Sequence, residues 1–447
     1  MNYRLILSIL IISLCSLPLF AEDWITIYND DLSLIRSQFE LELEKGNQKH
    51  NYDDITSRIM PASVIVKGDG LRIAEQNYEY DLAGKHQIMA KYLDQEVLAV
   101  MKDQSRLWGI LKFFDGSNLG IIEDGSERLL VIDDDEVQWI QLASLPSNFY
   151  TKPTLAWNLI APRTGSYPVM ISYLSGGFSW DVTYNAVWDE EKLHLNSWVT
   201  INNRSGKAFA DVNLKLIAGD VNQVRQKYND VARYEMAVDS SAGGMTAPSF
   251  EEKAFHDFHM YTLDQKVSFA NNQTKQLELY PTQDVTAESV YEFYTLTSGV
   301  NSVIKFVNTE DMGLGKPLPK GVFKIYKEDS DGNMEFIGED RIDHTGRNEE
   351  ISINTGKAFD LVANSQVRNQ RTISQRASER EIHINLKNNS SESKSIDVVH
   401  RLSGNARIVQ SERRYGLDTV KNTATFTVKM EPNTEYNFFF RERSDRS

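Results

Sequence analysis

The densest group of side chains that could carry out chemistry lies in one short string, Gly338-Glu339-Asp340-Arg341-Ile342-Asp343-His344. Its carboxylates, guanidinium and imidazole are groups that perform acid–base catalysis or hold a metal ion. On a strand, Asp340 and His344 share a face but lie about 13 Å apart, because each residue adds about 3.3 Å. Arg341 and Asp343 share the other face at about 6.6 Å, which suits a lateral ion pair. The spacing therefore favours a structural cluster of Asp340, Arg341, Asp343 and His344, with a recognition site as the alternative.

Three other patterns resemble metal sites only in part. His256 and His259 form H-x-x-H, but apart from Asp257 no further ligand follows at a usual spacing, and the neighbouring aromatic residues favour the start of a strand. Lys327–Asn333 is acidic like a calcium loop, yet its glycine comes too early and no glutamate closes it, which predicts a hairpin. Asp133–Glu136 predicts a solvated turn. The sequence therefore predicts no catalytic residue, no metal and no cofactor.

Aromatic residues are concentrated in the middle of the chain, where they could line a sugar-binding groove. Aromatic residues are equally favoured in strands and fill the cores of sandwiches. Core packing is the prediction for most of them, with one or two left exposed. The residues concerned are Trp157, Trp180, Trp188, Trp198, Tyr167, Tyr173 and Tyr184.

Composition and charge exclude several classes of protein. The chain has 447 residues, 25% of them charged and 41% hydrophobic, as in ordinary globular proteins. Lys and Arg number 48 against 63 Asp and Glu, a net charge of −15. Without a basic cluster, neither nucleic acid nor an anionic membrane surface is an expected partner.

The first residues have the order of a cleavable signal peptide. Arg4 supplies the positive charge, Leu5–Leu14 is almost wholly apolar, and a small residue, Ala21, ends the segment. Cleavage is expected after Ala21, which also removes the single cysteine, Cys15. No other apolar run is long enough to cross a bilayer, so we expect an exported protein, periplasmic or extracellular, without a transmembrane span in the mature chain.

Beyond the signal segment, apolar residues alternate with polar ones, as in Ile382, Ile384 and Leu386. Such alternation is typical of strands with one face on a core. The predicted fold class is all-β, with several β-sandwich (immunoglobulin-like) units and a small β-barrel. Short helices are expected near Ser57–Met60 and around Thr372–Glu381.

Shifts in composition predict the domain limits. The small barrel is expected where short strands and acidic turns are densest. The predicted division is 1–21 signal peptide, 22–86 N-terminal β segment, 87–146 small β-barrel, 147–300 β-sandwich with a disordered loop near 236–249, and 301–447 C-terminal β-sandwich.

An internal echo supports sandwich construction. Asn202-Asn203 is followed after nine positions by Asp211-Val212, and Asn388-Asn389 is followed at the same distance by Asp397-Val398. Asn tolerates the left-handed turn conformation, so each repeat predicts a hairpin. Chance similarity between two hairpins is the alternative.

Several strings resemble the proteins that carry domain of unknown function 4139, relatives of the mucoidy inhibitor A group. The resemblance covers most of residues 60–440, implies an extracytoplasmic bacterial protein with β-rich domains, and implies no activity. The strings are Thr151-Lys152-Pro153-Thr154-Leu155-Ala156-Trp157, Ser172-Tyr173-Leu174-Ser175-Gly176-Gly177-Phe178-Ser179-Trp180, Trp198-Val199-Thr200-Ile201-Asn202-Asn203, Leu318-Pro319-Lys320-Gly321, Gly338-Glu339-Asp340-Arg341-Ile342-Asp343-His344-Thr345 and Gly356-Lys357-Ala358-Phe359-Asp360.

Two functions are compatible with these observations. The first is an exported, non-catalytic binding or scaffold protein of the cell envelope, whose partner is a protein or a polysaccharide. The second is an envelope glycan hydrolase that uses two carboxylates from distant loops. A pair of carboxylates about 5 to 9.5 Å apart in an aromatic cleft would favour the hydrolase.

Overall fold

Alternating apolar residues form strands along nearly the whole chain. The computed structural model describes residues 22–29, 31–80, 85–143, 150, 152–219, 221–222, 249–256 and 258–445. Within these residues the chain is almost all β, which confirms the predicted fold class. The predicted signal peptide with Ala21 lies outside the described residues, and so does the loop predicted near 236–249 except for its last residue.

The described elements are numbered in chain order. Strands of the first half are β1 (Glu22–Tyr28), β2 (Ser33–Leu43), β3 (Gly46–Tyr52), β4 (Ile65–Gly68), β5 (Arg72–Glu79), β6 (Glu96–Met101), β7 (Arg106–Phe114), β8 (Asn118–Glu123), β9 (Leu129–Asp133), β10 (Val137–Leu142), β11 (Thr154–Ala161), β12 (Gly165–Ser175), β13 (Phe178–Trp188), β14 (Lys192–Asn203) and β15 (Phe209–Ala218). The helices are α1 (Lys85–Lys91) and two 3₁₀ turns, Pro61–Ser63 and Asp134–Glu136.

Sixteen further strands are described in the second half. They are β16 (Phe250–Phe255), β17 (Phe258–Leu263), β18 (Val267–Phe269), β19 (Gln273–Thr286), β20 (Glu288–Tyr294), β21 (Asn301–Val307), β22 (Gly321–Glu328), β23 (Met334–Ile342), β24 (Glu350–Lys357), β25 (Leu361–Ser374), β26 (Ala377–Asn388), β27 (Lys394–Arg401), β28 (Arg407–Ser411), β29 (Gly416–Asp418), β30 (Thr423–Met430) and β31 (Thr434–Asp445).

Three sheets surround the first and larger core, which we call the first sandwich. One layer has the order β16-β17-β15-β1-β2-β12-β4, and the sheets β3-β11-β5 and β19-β14-β13-β22-β23 supply the rest of the core. Strand β13 shows why its sheet packs on this core: every second residue from Phe178 to Trp188 is buried, so one face of the strand is apolar. All the aromatic residues predicted for the core are buried there except Trp198, which is half-buried.

The second sandwich consists of the sheet β24-β21-β20-β27-β30-β29 packed against the sheet β25-β26-β31-β28. Its separate core includes Phe293, Phe426, Phe438 and Phe440, whose rings contact one another in part. The outer side of β21 also meets the first sandwich, where Phe306 lies 5.9 Å from the ring of Phe323.

The two sandwiches repeat one topology. The order β16-β17-β15-β1-β2-β12 matches β29-β30-β27-β20-β21-β24, and β19-β14-β13 matches β31-β26-β25. In both, one central pair is parallel, β1 with β15 and β20 with β27. The predicted echo therefore reflects a repeat of structure. Its turns are not hairpins, however, because β14 and β15 lie in different sheets, as do β26 and β27. Each turn crosses from one layer of a sandwich to the other.

The residues described between β5 and β11 form an insertion into the first sandwich. Strands β5 and β11 are neighbours, with Glu79 opposite Thr154, so the chain leaves and returns at one point. The insertion contains α1 and the sheet β10-β6-β7-β8-β9, with its own core around Leu111 and Ile121. We call residues 85–142 the inserted unit. No ladder joins β9 to β10 among its described residues, so the sheet is open where the sequence predicts a closed barrel. The 3₁₀ turn after β9 leads the chain across to pair with β6 instead.

The helix expected around Thr372–Glu381 is wrong, because β25 and β26 form a hairpin there. Pairing of β26 with β31 and the ion pair of Arg371 with Glu379 across the hairpin outweigh a helical preference that is weak on its own. Near Ser57–Met60 the chain makes a turn, and the 3₁₀ turn begins at Pro61. In the described part of the chain, no helix has the length and apolar character needed to cross a bilayer.

Candidate functional site

The predicted polar cluster lies where β23 ends. The carboxylate of Asp340 accepts hydrogen bonds from the backbone amides of Arg341 and Asn354, both at 2.8 Å. Asn354 belongs to β24, so Asp340 links the first sandwich to the second. The imidazole of His344 accepts from the amide of Lys320 at 3.1 Å, which ties the end of β23 to the start of β22. Both side chains are thus engaged with backbone groups.

The other two members of the cluster do not form the expected pair. Among the ion pairs of the described residues there is none between Arg341 and Asp343. Both side chains are exposed. Burial raises the pKa of Asp181 on β13, and the nearby charge of Arg341 partly offsets that rise. Asp340 and His344 thus bind different backbone groups, and the role of the four residues as a recognition or structural cluster stays a prediction.

The other metal-like patterns are parts of turns and strands. Asp329 accepts hydrogen bonds from the amides of Asp331 and Asn333, both at 2.8 Å, in the turn of the β22–β23 hairpin, as predicted. His259 lies on β17 and pairs with Glu252 at 2.8 Å. No group of three or more His, Cys, Asp or Glu in the described ranges is placed to hold a metal ion.

A cleft opens at one corner of the second sandwich, where the β24–β25 loop meets the β26–β27 loop. Its volume is about 460 Å³, within the usual range of ligand sites of about 300 to 1,000 Å³. Two strings singled out in the sequence meet here, Gly356–Asp360 and the second Asn repeat. The residues that line the cleft are Tyr291, Ser302, Ile337, Thr355, Gly356, Lys357, Ala358, Phe359, Asp360, Leu361, Ser390, Ser391, Glu392 and Lys394.

A buried asparagine holds one wall of the cleft. The amide of Asn388 donates to the carbonyl of Glu392 at 2.8 Å, and its oxygen accepts from the amide and hydroxyl of Ser390 at 3.0 and 2.7 Å. Asn388 has no exposed surface. Because one side chain satisfies several loop groups, the β26–β27 loop has a fixed shape.

The opposite wall carries an aromatic ring in solvent. Phe359 is 97% exposed. Its neighbours are fixed, since the amide of Ala358 donates to Val300 and the carbonyl of Asp360 accepts from Asn389, both at 2.8 Å. A short loop bonded on both sides thus presents a ring that contacts little of its own chain.

The charges in the cleft balance. Lys394 pairs with Glu392 at 2.5 Å, and Lys357 donates to the carbonyl of Ser298 at 2.8 Å. The carboxylate of Asp360 has no hydrogen bond or ion pair with any other described residue. Asp360 is therefore the charged group of the cleft that is available to a ligand.

A second candidate surface is the outer face of the inserted unit, which we call the tryptophan face. Trp108 and Trp139 are 49% and 46% exposed, and Ile110, Leu129 and Val131 are exposed beside them. Cross-strand pairing places these residues on one side of the sheet. On β6, Leu98 lies opposite Trp108 and Val100 lies opposite Trp139. Leu98 and Val100 are two positions apart, so they point to the same side. Apolar side chains thus extend across β10, β6, β7, β8 and β9.

The tryptophan face is not among the sites predicted from the sequence, although the sequence contains a signal for it. Strands β7 and β9 contain the runs Leu107–Leu111 and Leu129–Ile132, apolar on both faces. Continuous apolar runs are typical of strands covered on both sides. In the inserted unit α1 and the core cover one side only.

One buried chain of polar groups lies inside the second sandwich. The hydroxyl of Thr295 lies 2.6 Å from Nδ1 of His400, whose Nε2 lies 3.0 Å from Glu442. Such a chain can polarise a hydroxyl. However, His400 and Glu442 are each only 1% exposed, and Arg380 neutralises Glu442 at 2.8 Å. The arrangement joins the two sheets across the core and offers a substrate little access.

No family in a scan of protein families matches the chain, and no curated protein is significantly similar to it.

Proposed function

We propose that the protein is an exported, non-catalytic binding or scaffold protein of the cell envelope, with a protein or polysaccharide partner. The observation that carries the proposal is the tryptophan face. Ordinary protein surfaces expose single apolar residues, whereas this sheet face exposes several together, including two half-exposed tryptophans. Such an apolar patch is typical of interaction sites.

The way the inserted unit is attached supports a binding role. It has its own core, and the strands of the first sandwich that precede and follow it, β5 and β11, are neighbours. A unit of this kind adds a surface without contributing strands to either sandwich. Functional surfaces are often carried on such insertions because the scaffold does not depend on them.

The glycan hydrolase alternative has less support. Two carboxylates line the cleft, but Glu392 is paired with Lys394, and neither sits in an enclosed aromatic groove. A hydrolase would need one carboxyl kept protonated and one kept ionised on either side of the scissile bond.

The proposal is tested by capture of partners from an envelope extract with the tagged mature protein. The double variant Trp108→Ala/Trp139→Ala should lose the partner while keeping its melting temperature, because both side chains are half in solvent. Phe255→Ala, which removes an exposed ring from β16, is the matched control and should retain it. The intact mass of the protein from the envelope fraction reports whether residues 1–21 have been removed.

A second variant separates the surface from the scaffold. Residues 80–153 are replaced by an Asn-Gly turn that joins Glu79 to Thr154, which are already opposite each other. This protein should fold and fail to capture the partner. Full capture by either variant would contradict the proposal.

A further inference from the structure

The corner of the first sandwich that corresponds to the cleft is covered by the chain itself. We call Asp54–Arg58 the strap. Ser57 donates from its amide and its hydroxyl to the carbonyl of Ser205, at 2.9 and 3.0 Å. The carbonyl of Arg58 accepts from the amide of Gly176 at 3.0 Å. The strap thus bridges the β12–β13 turn and the β14–β15 loop through backbone hydrogen bonds.

The loops of the two corners correspond residue by residue. Asn203 donates to the carbonyl of Lys207 at 2.8 Å and accepts from the hydroxyl of Ser205 at 2.8 Å, as Asn388 does with Glu392 and Ser390. These matching bonds place Ser390 at the position of Ser205 and Glu392 at the position of Lys207.

The turns on the other side of the corner correspond as well. Arg204 donates to the carbonyl of Gly177 at 2.6 Å, and Asn389 donates to the carbonyl of Asp360 at 2.8 Å. Asp360 therefore occupies the position of Gly177, and Phe359 that of Gly176, the residue that bonds the strap.

In the second corner the two groups that would bind a strap have no partner in the part of the chain that the structure describes. Among the described residues, nothing donates to the carbonyl of Ser390 and nothing accepts from the amide of Phe359. Gly176 and Ser205 are buried under the strap, whereas Phe359 is in solvent and Ser390 only half-buried. The second corner therefore has the bonding pattern of the first without its cover.

We propose that the cleft binds an extended segment of another polypeptide, which takes the place that the strap takes in the first corner. One residue of the segment donates its amide to the carbonyl of Ser390, and the next accepts from the amide of Phe359. A peptide fits because the cover of the first corner is itself a peptide, held by the same two backbone groups. This inference rests on the proposed binding role but uses a different surface.

The side chains of the cleft select for a basic residue. In the first corner the guanidinium of Arg58 lies beside Gly176 and pairs with Asp31 at 2.8 Å. In the second corner the same place is bordered by the ring of Phe359 and the unpaired carboxylate of Asp360. An arginine can stack on an aromatic ring and bind a carboxylate at once.

A change of charge argues against an acidic segment. Lys207 holds the strap through an ion pair with Asp54 at 2.7 Å. At the matching position the cleft has Glu392, of opposite charge. The expected ligand is therefore a polar segment with an arginine at the position of Arg58 and no acidic residue at that of Asp54.

The test uses two fluorescent peptide pools, acetyl-X₃-Ser-Arg-X₃-amide and acetyl-X₃-Ser-Glu-X₃-amide, and measures retention by the full mature protein. The wild type should retain the arginine pool about ten-fold better, as a ring contact and an ion pair together predict. Phe359→Ala should lose most of this retention, and Asp360→Asn should remove the preference for arginine. Val420→Ala, at another fully exposed apolar residue, should change neither.

Three outcomes would overturn the proposal: no retention of either pool, equal retention of both, or unchanged retention by Phe359→Ala. Binding of maltohexaose that depends on Phe359, without peptide retention, would instead assign the cleft to a saccharide. Unchanged melting of the variants is checked by calorimetry. Partner capture through the tryptophan face is a separate measurement, so either proposal can fail while the other stands.

Discussion

The two sandwiches share a strand order and a buried asparagine at the same corner, but one corner is closed and the other is open. In the first sandwich the strap covers the corner, and Gly206 makes room for it, because a Cβ there would overlap Ser57. In the second, the matching positions carry Phe359 and Ser391, and both residues are exposed. The comparison indicates that the fold requires the asparagine and its hydrogen bonds. The residues around it differ between the corners and can therefore serve another function.

The largest effect is expected from removal of the shared asparagine. Asn203→Ala and Asn388→Ala should each lower the free energy of unfolding of their own sandwich by about 3 kcal/mol, because each leaves several buried polar groups without partners. All seven tryptophans precede residue 199, so none lies in the second sandwich. Tryptophan fluorescence should therefore detect the effect of Asn203→Ala. The effect of Asn388→Ala should be detected only by far-UV circular dichroism or calorimetry.

Asn389→Ala is the matched control, since Asn389 is exposed and bonds through its backbone amide. It should leave both transitions unchanged. Equal stability of Asn388→Ala and the wild type would show that the second corner does not depend on its asparagine and would break the comparison.

Local patterns in the sequence predict much of the fold but not the difference between the corners. Alternation along β13 or β26 predicts strands, because a side chain's face depends only on its neighbours in sequence. Hairpins such as β22–β23 follow from their turn residues. By contrast, Ser57 and Ser205 are 148 residues apart, and no local pattern indicates that they meet.

The sites show the same limit. Phe359 and Asn388 both lie in strings that stand out in the sequence. Whether the ring of Phe359 is exposed, however, depends on whether a segment distant in sequence covers its loop. The cluster around Asp340 was the most chemically suggestive string, yet its side chains serve backbone groups on β24 and near Lys320. A concentration of polar residues in the sequence therefore indicates a binding site less well than backbone groups without hydrogen-bond partners in the structure do.

The second largest effect concerns the room for the strap. Gly206 has a φ of +84°, and a Cβ there would overlap the hydroxyl of Ser57. Gly206→Ser should therefore destabilise the first sandwich by about 2 kcal/mol, measured by denaturation followed through tryptophan fluorescence. The reverse change in the second corner, Ser391→Gly, should alter stability by less than about 1 kcal/mol, because no strap packs there.

Gly46→Ser separates strain from overlap. Gly46 also has a positive φ, +113°, but a Cβ there would meet no other atom within 4 Å. If Gly46→Ser destabilises as much as Gly206→Ser does, backbone strain alone explains the effect and the strap is not responsible.

The smallest effect is a pH dependence of the second sandwich. Burial alone would raise the pKa of Glu442, but hydrogen bonds from His400 and Arg380 outweigh it and leave the pKa below the ordinary 4.5. Hydrogen bonds from His383 and Arg441 lower the pKa of Glu381, on the same sheet, to about 2. A carboxyl with a lowered pKa binds a proton less readily when folded, so its stabilisation is complete above 4.5 and is lost as the pH falls toward 2.

Glu442→Gln tests this sign. The variant should be less stable than the wild type near neutral pH, because Arg380 and His400 lose a buried charged partner. Its free energy of unfolding, followed by far-UV circular dichroism, should then fall less steeply than that of the wild type between about pH 5 and about pH 3. The tryptophan signal of the first sandwich serves as the internal reference, since Glu442 lies in the other core. Parallel pH profiles for the two proteins would mean that the Glu442 carboxylate does not make the second sandwich sensitive to acid.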